Sequence, residues 1–130
     1  MDAEEPSVKK KILLVEDELN VVELMNIFLS RRGYELKNVI EGTDVLDAVR
    51  SFRPDLIILD IMIPKLNGFE VCSLLKADPE LKNIPVMILS ALVQKNEIEM
   101  GIRMGADMYM TKPFHNVDLL ANIDKLIAKK

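Results

Sequence analysis

The sequence has little cysteine, no tryptophan and no long apolar run. Its one cysteine, Cys72, has no partner for an intramolecular disulfide. Because Cys72 stands among Val71, Leu74 and Leu75 in a predicted helix, it is typical of a small core residue rather than of a reactive thiol. This cysteine usage fits a reducing cytoplasm, where we expect the protein to reside. The longest apolar stretches have the length of β-strands, so we expect no membrane span and no signal peptide.

Positive charge is outnumbered by negative charge. The chain carries 17 lysines and arginines against 21 aspartates and glutamates, a net charge of -4. No basic run overrides this balance, so we expect no direct contact with nucleic acid. With 130 residues and 49% hydrophobic content, the chain suits one compact domain. Residues 1–10 show no periodicity and are predicted to be a disordered lead-in, and residues 11–130 are predicted to be the domain.

Short apolar runs alternate with helical patterns along the rest of the chain. The predicted strands are 12–15, 34–39, 56–59, 84–89 and 107–111. The predicted helices are 19–32, 44–52, 68–78, 94–104 and 115–128. We expect the apolar face of the first helix to contain Val21, Leu24, Met25 and Phe28. We expect Gly101 to interrupt the fourth helix. In the last helix, the residues predicted to face inward are Leu120, Ile123 and Ile127.

This alternation predicts an α/β fold with a parallel sheet covered by helices on both faces, because each parallel connection needs a crossover. Ligands of such sheets bind beyond the carboxyl ends of the strands. The polar residues that follow four of the predicted strands are Glu16 and Asp17, Asp60, Ser90 and Lys112.

Asp60 is the central residue of this set. It follows the run 56–59, which is apolar throughout and flanked by Pro54 and Pro64. An unpaired buried carboxylate costs several kcal/mol, so an Asp placed there is expected to meet solvent, metal or substrate. Taken alone, Asp60 could instead cap a turn.

The other members of the set also have plain alternatives. Glu16, Asp17 and Glu18 could be an acidic helix start, Ser90 a loop residue and Lys112 a solvated lysine. Their joint placement after successive core strands favours a common site. His115 has no acidic or thiol partner at metal-ligand spacing and is predicted to lie on the surface.

The chemistry of such a site follows from its residue types. Carboxylates brought together repel by about 4 kcal/mol per close pair, so Glu16, Asp17 and Asp60 need a cation. Hard oxygen ligands that leave room for water favour Mg²⁺. The Ser90 hydroxyl and the Lys112 ammonium can bind phosphoryl oxygens. The set predicts phosphoryl transfer, with Asp60 as the nucleophile.

Four motifs resemble the receiver domains of two-component response regulators. They are Val15-Glu16-Asp17-Glu18, the run from Asp60 to Pro64 with Gly68, Leu89-Ser90-Ala91, and Gly105-Ala106-Asp107 leading to Tyr109 and Lys112-Pro113-Phe114. The resemblance extends from about residue 11 to residue 129. It implies a flavodoxin-like, doubly wound five-stranded parallel sheet of order 2-1-3-4-5 with five helices.

The resemblance also implies individual roles. Asp60 would be the phosphoacceptor, Ser90 the switch hydroxyl, Lys112 the partner lysine and Tyr109 the aromatic switch. The Mg²⁺ ligands would be Glu16, Asp17, Asp60 and the backbone carbonyl of Met62. Glu16 stands where the family often has Asp, which leaves open whether it binds the metal directly or through water.

Two further features are implied by the resemblance. Met62 and Leu92 would flank the path of hydrolytic water. The Lys112-Pro113 peptide bond would be cis, which also suits a tight turn that aims the lysine back at Asp60.

The function so implied is a step in a phosphorelay. A histidine kinase or histidine phosphotransfer protein would donate a phosphoryl group to Asp60, and a surface formed by the fourth helix, last strand and last helix would bind a downstream protein or a second copy. The chain would catalyse only its own phosphorylation and dephosphorylation. The chain is expected to be a stand-alone regulator or a fragment of a longer one, without contact with membrane or nucleic acid.

Two other classes of protein are less compatible with the residues. A phosphatase of the haloacid dehalogenase type would want a second Asp two residues after Asp60, where Met62 stands. A flavodoxin-like FMN carrier would need a phosphate-binding loop after the first strand, where the acidic run 16–18 repels phosphate.

Overall fold

A computed structural model describes residues 9–65 and 67–129, and the predicted lead-in lies outside the described residues except for Lys9 and Lys10, which are exposed. The strands are β1 (Lys11–Val15), β2 (Glu35–Val39), β3 (Leu56–Leu59), β4 (Val86–Ser90) and β5 (Met108–Thr111). The α-helices are α1 (Leu19–Arg31), α2 (Val45–Phe52), α3 (Gly68–Ala77), α4 (Lys95–Arg103) and α5 (Asn116–Lys129). A 3-10 turn at Gly42–Asp44 leads into α2.

The five strands form one parallel sheet in the order β2-β1-β3-β4-β5. This confirms the predicted fold and strand order. Strands β1 and β3 are neighbours although α1, β2 and α2 lie between them in the chain. The carboxyl ends of β1, β3, β4 and β5 therefore meet at one edge of the sheet.

The sheet divides the core into two layers. In β1, Leu13 and Val15 face α2 and α3, whereas Ile12 and Leu14 face α1 and α5. Strand β3 is fully buried along its length, which explains its unbroken apolar sequence. The polar residues that follow the strands therefore project from the edge of a packed core.

Cys72 is buried in the layer formed by α2 and α3. Its thiol contacts the carbonyl oxygen of Met104 at 3.7 Å, and burial raises its pKa to about 11. A thiol with such a pKa is a poor nucleophile at neutral pH, so the core role predicted from the sequence fits its environment.

Helix α4 runs through Gly101 without interruption, so the predicted break at this residue is wrong. Gly101 is the buried residue of the helix. A Cβ atom there would lie 2.8 Å from Ile88 Cδ1 and 2.8 Å from Tyr109 Cδ2. Glycine at this position lets α4 pack closely on β4 and β5, and close packing rather than flexibility accounts for it.

The inward faces of two helices also differ from the prediction. In α5 the buried residues are Leu119, Ile123 and Leu126, so Leu120 and Ile127 lie at the margin of the core. In α1 Leu24 is 45% exposed, whereas Met25, predicted on the same apolar face, and Leu29 are buried. Both helices carry more apolar residues than one face can bury, and the sequence pattern alone does not say which of two adjacent residues points inward.

Within the described ranges, no helix is both long enough and apolar enough to cross a membrane.

Candidate functional site

The polar residues predicted to form a site meet at the carboxyl edge of the sheet. The Asp60 N–H donates to the Val15 carbonyl at 3.0 Å, and the Glu16 N–H donates to the Val39 carbonyl at 3.0 Å. These bonds tie the first residue after β3 to β1, and the first residue after β1 to β2. These main-chain hydrogen bonds therefore fix the positions of the Cα atoms of Asp60 and Glu16.

Three carboxylates form an acidic cluster at this edge. Glu16, Asp17 and Asp60 each offer an oxygen within 4.8 Å of the others. Glu16 is 1% exposed and Asp60 7% exposed, whereas Asp17 is exposed. The cluster is open to solvent on the Asp17 side, so a hydrated cation can reach it.

Lys112 supplies positive charge to the buried side of the acidic cluster. Its Nζ lies 2.7 Å from Glu16 Oε1 and 3.0 Å from Asp60 Oδ2. The main-chain N–H of Lys112 donates to the Ser90 carbonyl at 2.8 Å. This bond fixes the position of the Lys112 main chain, from which the side chain extends. The Lys112-Pro113 peptide bond is cis, as predicted.

The charges in this group change one another's ionisation. Burial raises the pKa of Glu16, although the hydrogen bond from Lys112 acts in the opposite direction. Burial would lower the pKa of Lys112, but the hydrogen bonds to Glu16 and Asp60 and the attraction of their negative charges together outweigh burial and leave the pKa raised. Lys112 therefore stays positively charged at neutral pH and offsets part of the negative charge around Asp60.

The second oxygen of Asp60 is also held. Asp60 Oδ1 accepts a hydrogen bond from the Met62 N–H at 3.1 Å. The Gly68 N–H donates to the Ile61 carbonyl at 3.0 Å and closes the loop after Asp60. A Cβ atom on Gly68 would lie 2.5 Å from Ile61 Cα and 2.7 Å from the Asp60 carbonyl, so only glycine allows this approach.

Ser90 ends β4, and Tyr109 lies on the neighbouring strand β5, opposite Ile88. Ser90 is fully buried, and its Oγ accepts a hydrogen bond from the Leu92 N–H at 3.2 Å. Tyr109 Oη donates to the Leu92 carbonyl at 2.7 Å. Burial raises the pKa of Tyr109, whereas a hydrogen bond with Ser90 lowers it, and the net direction is upward. Tyr109 is therefore a protonated donor near Ser90.

Glu18 takes part in the site although the sequence reasoning left it out. Its Oε1 lies 3.6 Å from Lys112 Nζ, and its N–H donates to Glu16 Oε2 at 3.2 Å. The signal was the unbroken acidic run 16–18, which places three acids on one turn. His115 is exposed and away from the acidic cluster, as predicted.

A family model for the response regulator receiver domain matches residues 12–124. Two curated relatives are the DNA-binding response regulator MtrA of Mycobacterium tuberculosis, 36% identical over 90% of this chain, and the alkaline phosphatase synthesis transcriptional regulatory protein PhoP of Bacillus subtilis, 36% identical over 94%. This chain covers 50% of each, so it spans about half the length of the curated relatives it matches. One of these relatives is by name a DNA-binding response regulator and the other a transcriptional regulatory protein. They therefore give no support to the expectation that nucleic acid is not a partner.

A solved structure of similar fold is the signal receiver domain of a signal transduction histidine kinase from Syntrophus aciditrophicus. Its sequence is 32% identical, and the superposition has a TM-score of 0.86. The match covers 92% of this chain and 91% of the chain of that structure. The sheet order, the extent of the family match and this identity agree with one another. The chain therefore belongs to the receiver domain family of the response regulators of two-component systems.

Proposed function

We propose that Asp60 is the phosphoacceptor of this receiver domain. The observation that carries the proposal is the setting of its carboxylate, which ends a buried strand, touches Lys112 and lies within the acidic cluster. One oxygen of Asp60 contacts a lysine and the other accepts from a main-chain N–H. Glu16 is held in a similar way, but it is 1% exposed, against 7% for Asp60. This arrangement orients the Asp60 carboxylate as a nucleophile, and the carboxylate can be approached from the exposed side of the cluster, where Asp17 lies.

The acidic cluster fits a Mg²⁺ ion by the chemistry of its donors. Glu16, Asp17 and Asp60 supply hard carboxylate oxygens, and the Met62 carbonyl is proposed as a main-chain ligand. When bound, Mg²⁺ would neutralise the carboxylates and the oxygens of an incoming phosphoryl group. The longer side chain of Glu16, whose two oxygens are held by Lys112 and by the Glu18 N–H, favours contact with the ion through water.

The protein's own residues then place the reacting atoms. An Asp60 oxygen forms a bond to phosphorus as the bond between phosphorus and the donor's leaving group breaks. The Lys112 ammonium stays charged and binds a phosphoryl oxygen, which stabilises charge that develops in the transition state. The Ser90 hydroxyl can turn away from Tyr109 to donate to another phosphoryl oxygen, while its own oxygen keeps accepting from the Leu92 N–H.

The same contacts connect phosphorylation to the surface. Movement of Ser90 toward a phosphoryl group would change its contact with Tyr109, whose hydroxyl is bonded to the Leu92 carbonyl. Tyr109 packs against α4 at Gly101, so α4, β5 and α5 are proposed as the responding surface. A downstream protein or a second copy would bind there, and a histidine kinase or histidine phosphotransfer protein would be the donor.

Phosphorylation by a small donor tests this function. The full chain is incubated with acetyl phosphate with and without Mg²⁺, and its intact mass is measured. We expect one added phosphoryl group, and none when a chelator removes the metal. Equal labelling with and without the chelator would contradict the metal-assisted mechanism.

Adding Mg²⁺ is expected to stabilise the fold, because it relieves repulsion within the acidic cluster. A ligand at a hundred times its dissociation constant contributes about 2.7 kcal/mol. Asp17→Asn, which removes the exposed ligand, is expected to lose most of this gain. Thermal unfolding with and without Mg²⁺ measures both.

The matched control for this prediction is Asp47→Asn, an exposed aspartate of α2. It should keep the full Mg²⁺ response. A wild-type melting temperature that does not respond to Mg²⁺ would argue against a metal site here.

The phosphoryl group on Asp60 is expected to be long-lived. Met62 is 62% exposed and lines, with Asp17 and Leu92, an open groove of about 620 Å³. The apolar ends of Met62 and Leu92 cannot orient water by hydrogen bonding. Met62→Glu would supply an acceptor, which is worth roughly 100-fold in rate where proton transfer is assisted. We expect this variant to lose its phosphoryl group much faster than the wild type in a decay measurement.

Met62→Leu is the control and should leave the decay rate nearly unchanged. Identical lifetimes for the wild type, Met62→Glu and Met62→Leu would show that another group positions the hydrolytic water.

A further inference from the structure

The main-chain contact between β2 and β1 ends at Glu16. Its N–H donates to the carbonyl of Val39, the last residue of β2. The side chain of Asn38, in β2, adds further hydrogen bonds to β1 and to the residue that follows it. Asn38 Nδ2 donates to the Leu14 carbonyl at 3.0 Å and to the Glu16 carbonyl at 3.1 Å. Asn38 thus spans the point where the two strands separate.

The orientation of the Asn38 amide follows from these partners. Both are carbonyl oxygens, which accept hydrogen bonds and cannot donate them. The reversed amide would aim its oxygen at two carbonyl oxygens and repel both. A third contact, from Asn38 Nδ2 to the Val39 carbonyl, is longer, at 3.4 Å. The two shorter hydrogen bonds of the amide therefore go to β1 and to the turn that follows β1.

This contact completes the support of the first acidic residue. The Val15 carbonyl, on the other side of β1, accepts from the Asp60 N–H. Neighbouring strands thus hold the chain from both sides up to Val15, and Asn38 extends the support by one residue, to the Glu16 carbonyl. Glu16 is buried, so its carbonyl would be left unpaired without this donor unless water reached it, and the turn would then be free to move.

We propose that Asn38 is a positioning residue for the Mg²⁺ site: by holding the Glu16 carbonyl, its side-chain amide fixes the turn from which the Glu16 and Asp17 carboxylates project. The inference rests on the proposed function, because it takes the acidic cluster as the metal site. Asn38 does not belong to the acidic cluster, and it acts through the main chain.

Groups that orient metal ligands typically change metal affinity by 10- to 100-fold when they are removed. Asn38→Leu keeps a side chain of similar size but donates no hydrogen bond. We expect its Kd for Mg²⁺ to rise by at least about 10-fold. Asn38→Thr retains one donor and is expected to lie between Asn38→Leu and the wild type.

The experiment is a calorimetric titration of the full chain with MgCl₂. Leu36→Ala is the matched control, because Leu36 is a half-buried residue of the same strand and packs in the layer of α1 and α5. It should lower the stability of β2 and leave the Kd for Mg²⁺ unchanged. A purely structural role of Asn38 would make the two variants alike.

A metal-free readout accompanies the titration. The Glu18 amide donates to Glu16 Oε2 at 3.2 Å, so its hydrogen exchange reports the order of the turn. In Asn38→Leu this amide should exchange faster than in the wild type, and in Leu36→Ala it should do so no more than other amides of the sheet. If Asn38→Leu does not fold, Asn38→Thr decides both readouts.

The outcomes separate the two levels of the proposal. A wild type that binds Mg²⁺ and an Asn38→Leu variant that binds it equally well would overturn the role of Asn38 and leave the proposed function intact. A wild type that binds no Mg²⁺ would contradict the metal site and the role of Asn38 together. Weaker binding in Asn38→Leu alone, with a faster Glu18 exchange, supports the positioning role.

Discussion

Lys112→Met is expected to destabilise the metal-free protein by about 3 kcal/mol, because it leaves two buried carboxylates without their cation. The side chain of Lys112 is itself 14% exposed, and Nζ contacts Glu16 and Asp60. Removing one partner of a buried ion pair is more harmful than removing the whole pair, since the remaining charge stays desolvated. Urea unfolding without Mg²⁺ measures the loss.

The loss should depend on pH. The pKa of Glu16 is already raised, first by burial, and Lys112 is what opposes the rise. Without Lys112, folded Glu16 holds its proton to a higher pH than unfolded Glu16 does. A folded state that binds more protons loses stability as pH rises, so Lys112→Met should recover stability as the solution is made more acidic.

Two further variants sharpen this test. Lys125→Met removes an exposed lysine of α5 and should change stability little. Adding Glu16→Gln to Lys112→Met removes one unpaired charge and should restore part of the loss, a non-additivity that a double-mutant cycle detects. A Lys112→Met variant as stable as the wild type at every pH would show that the ammonium does not balance the buried acids.

Gly68→Ala is expected to cost about 2 to 3 kcal/mol and to slow phosphorylation. The added Cβ would lie 2.5 Å from Ile61 Cα, a main-chain atom that cannot rotate away. Either α3 or the loop that follows Asp60 must shift. Because Asp60 Oδ1 accepts from the Met62 N–H in that loop, a shift would also disturb the nucleophile. Denaturant unfolding and the rate of labelling by acetyl phosphate measure the two effects.

Gly33→Ala is the control for this change. Nothing lies within 4 Å of a Cβ atom at Gly33, but its φ of +87° strains any other residue, for about 1 kcal/mol. It should therefore destabilise less than Gly68→Ala and leave the labelling rate unchanged. Similar losses in the two variants would mean that the loop after Asp60 adapts to the extra methyl group.

The sequence predicted the sheet well because strand signals in a parallel sheet are strong. Each central strand is a short apolar run, and the polar residue after each run stands at its carboxyl end. Asp60, Ser90 and Lys112 were therefore predictable as neighbours once the strands were taken as parallel. The strand order itself came from the resemblance, since periodicity does not say which strands pair.

The details of packing were not predictable in the same way. Gly101 was expected to break α4, because glycine disfavours helix, and the contact with Tyr109 that requires glycine joins residues of different elements. Leu119 and Leu120 are equally apolar, and only the rotation of α5 against the sheet decides that Leu119 is buried. The role of Asn38 depends on the distance between β2 and the turn after β1, which no local pattern encodes.

Locating the phosphoryl group on the chain tests the role of Asp60 most directly. The protein is treated with acetyl phosphate and Mg²⁺, reduced with a hydride that converts an aspartyl phosphate to homoserine, digested, and mapped by mass spectrometry. We predict that the conversion occurs at residue 60, and that Asp60→Asn folds and remains unlabelled. Conversion at another aspartate in the wild type, or undiminished labelling of Asp60→Asn, would contradict the assignment of Asp60 as the phosphoacceptor.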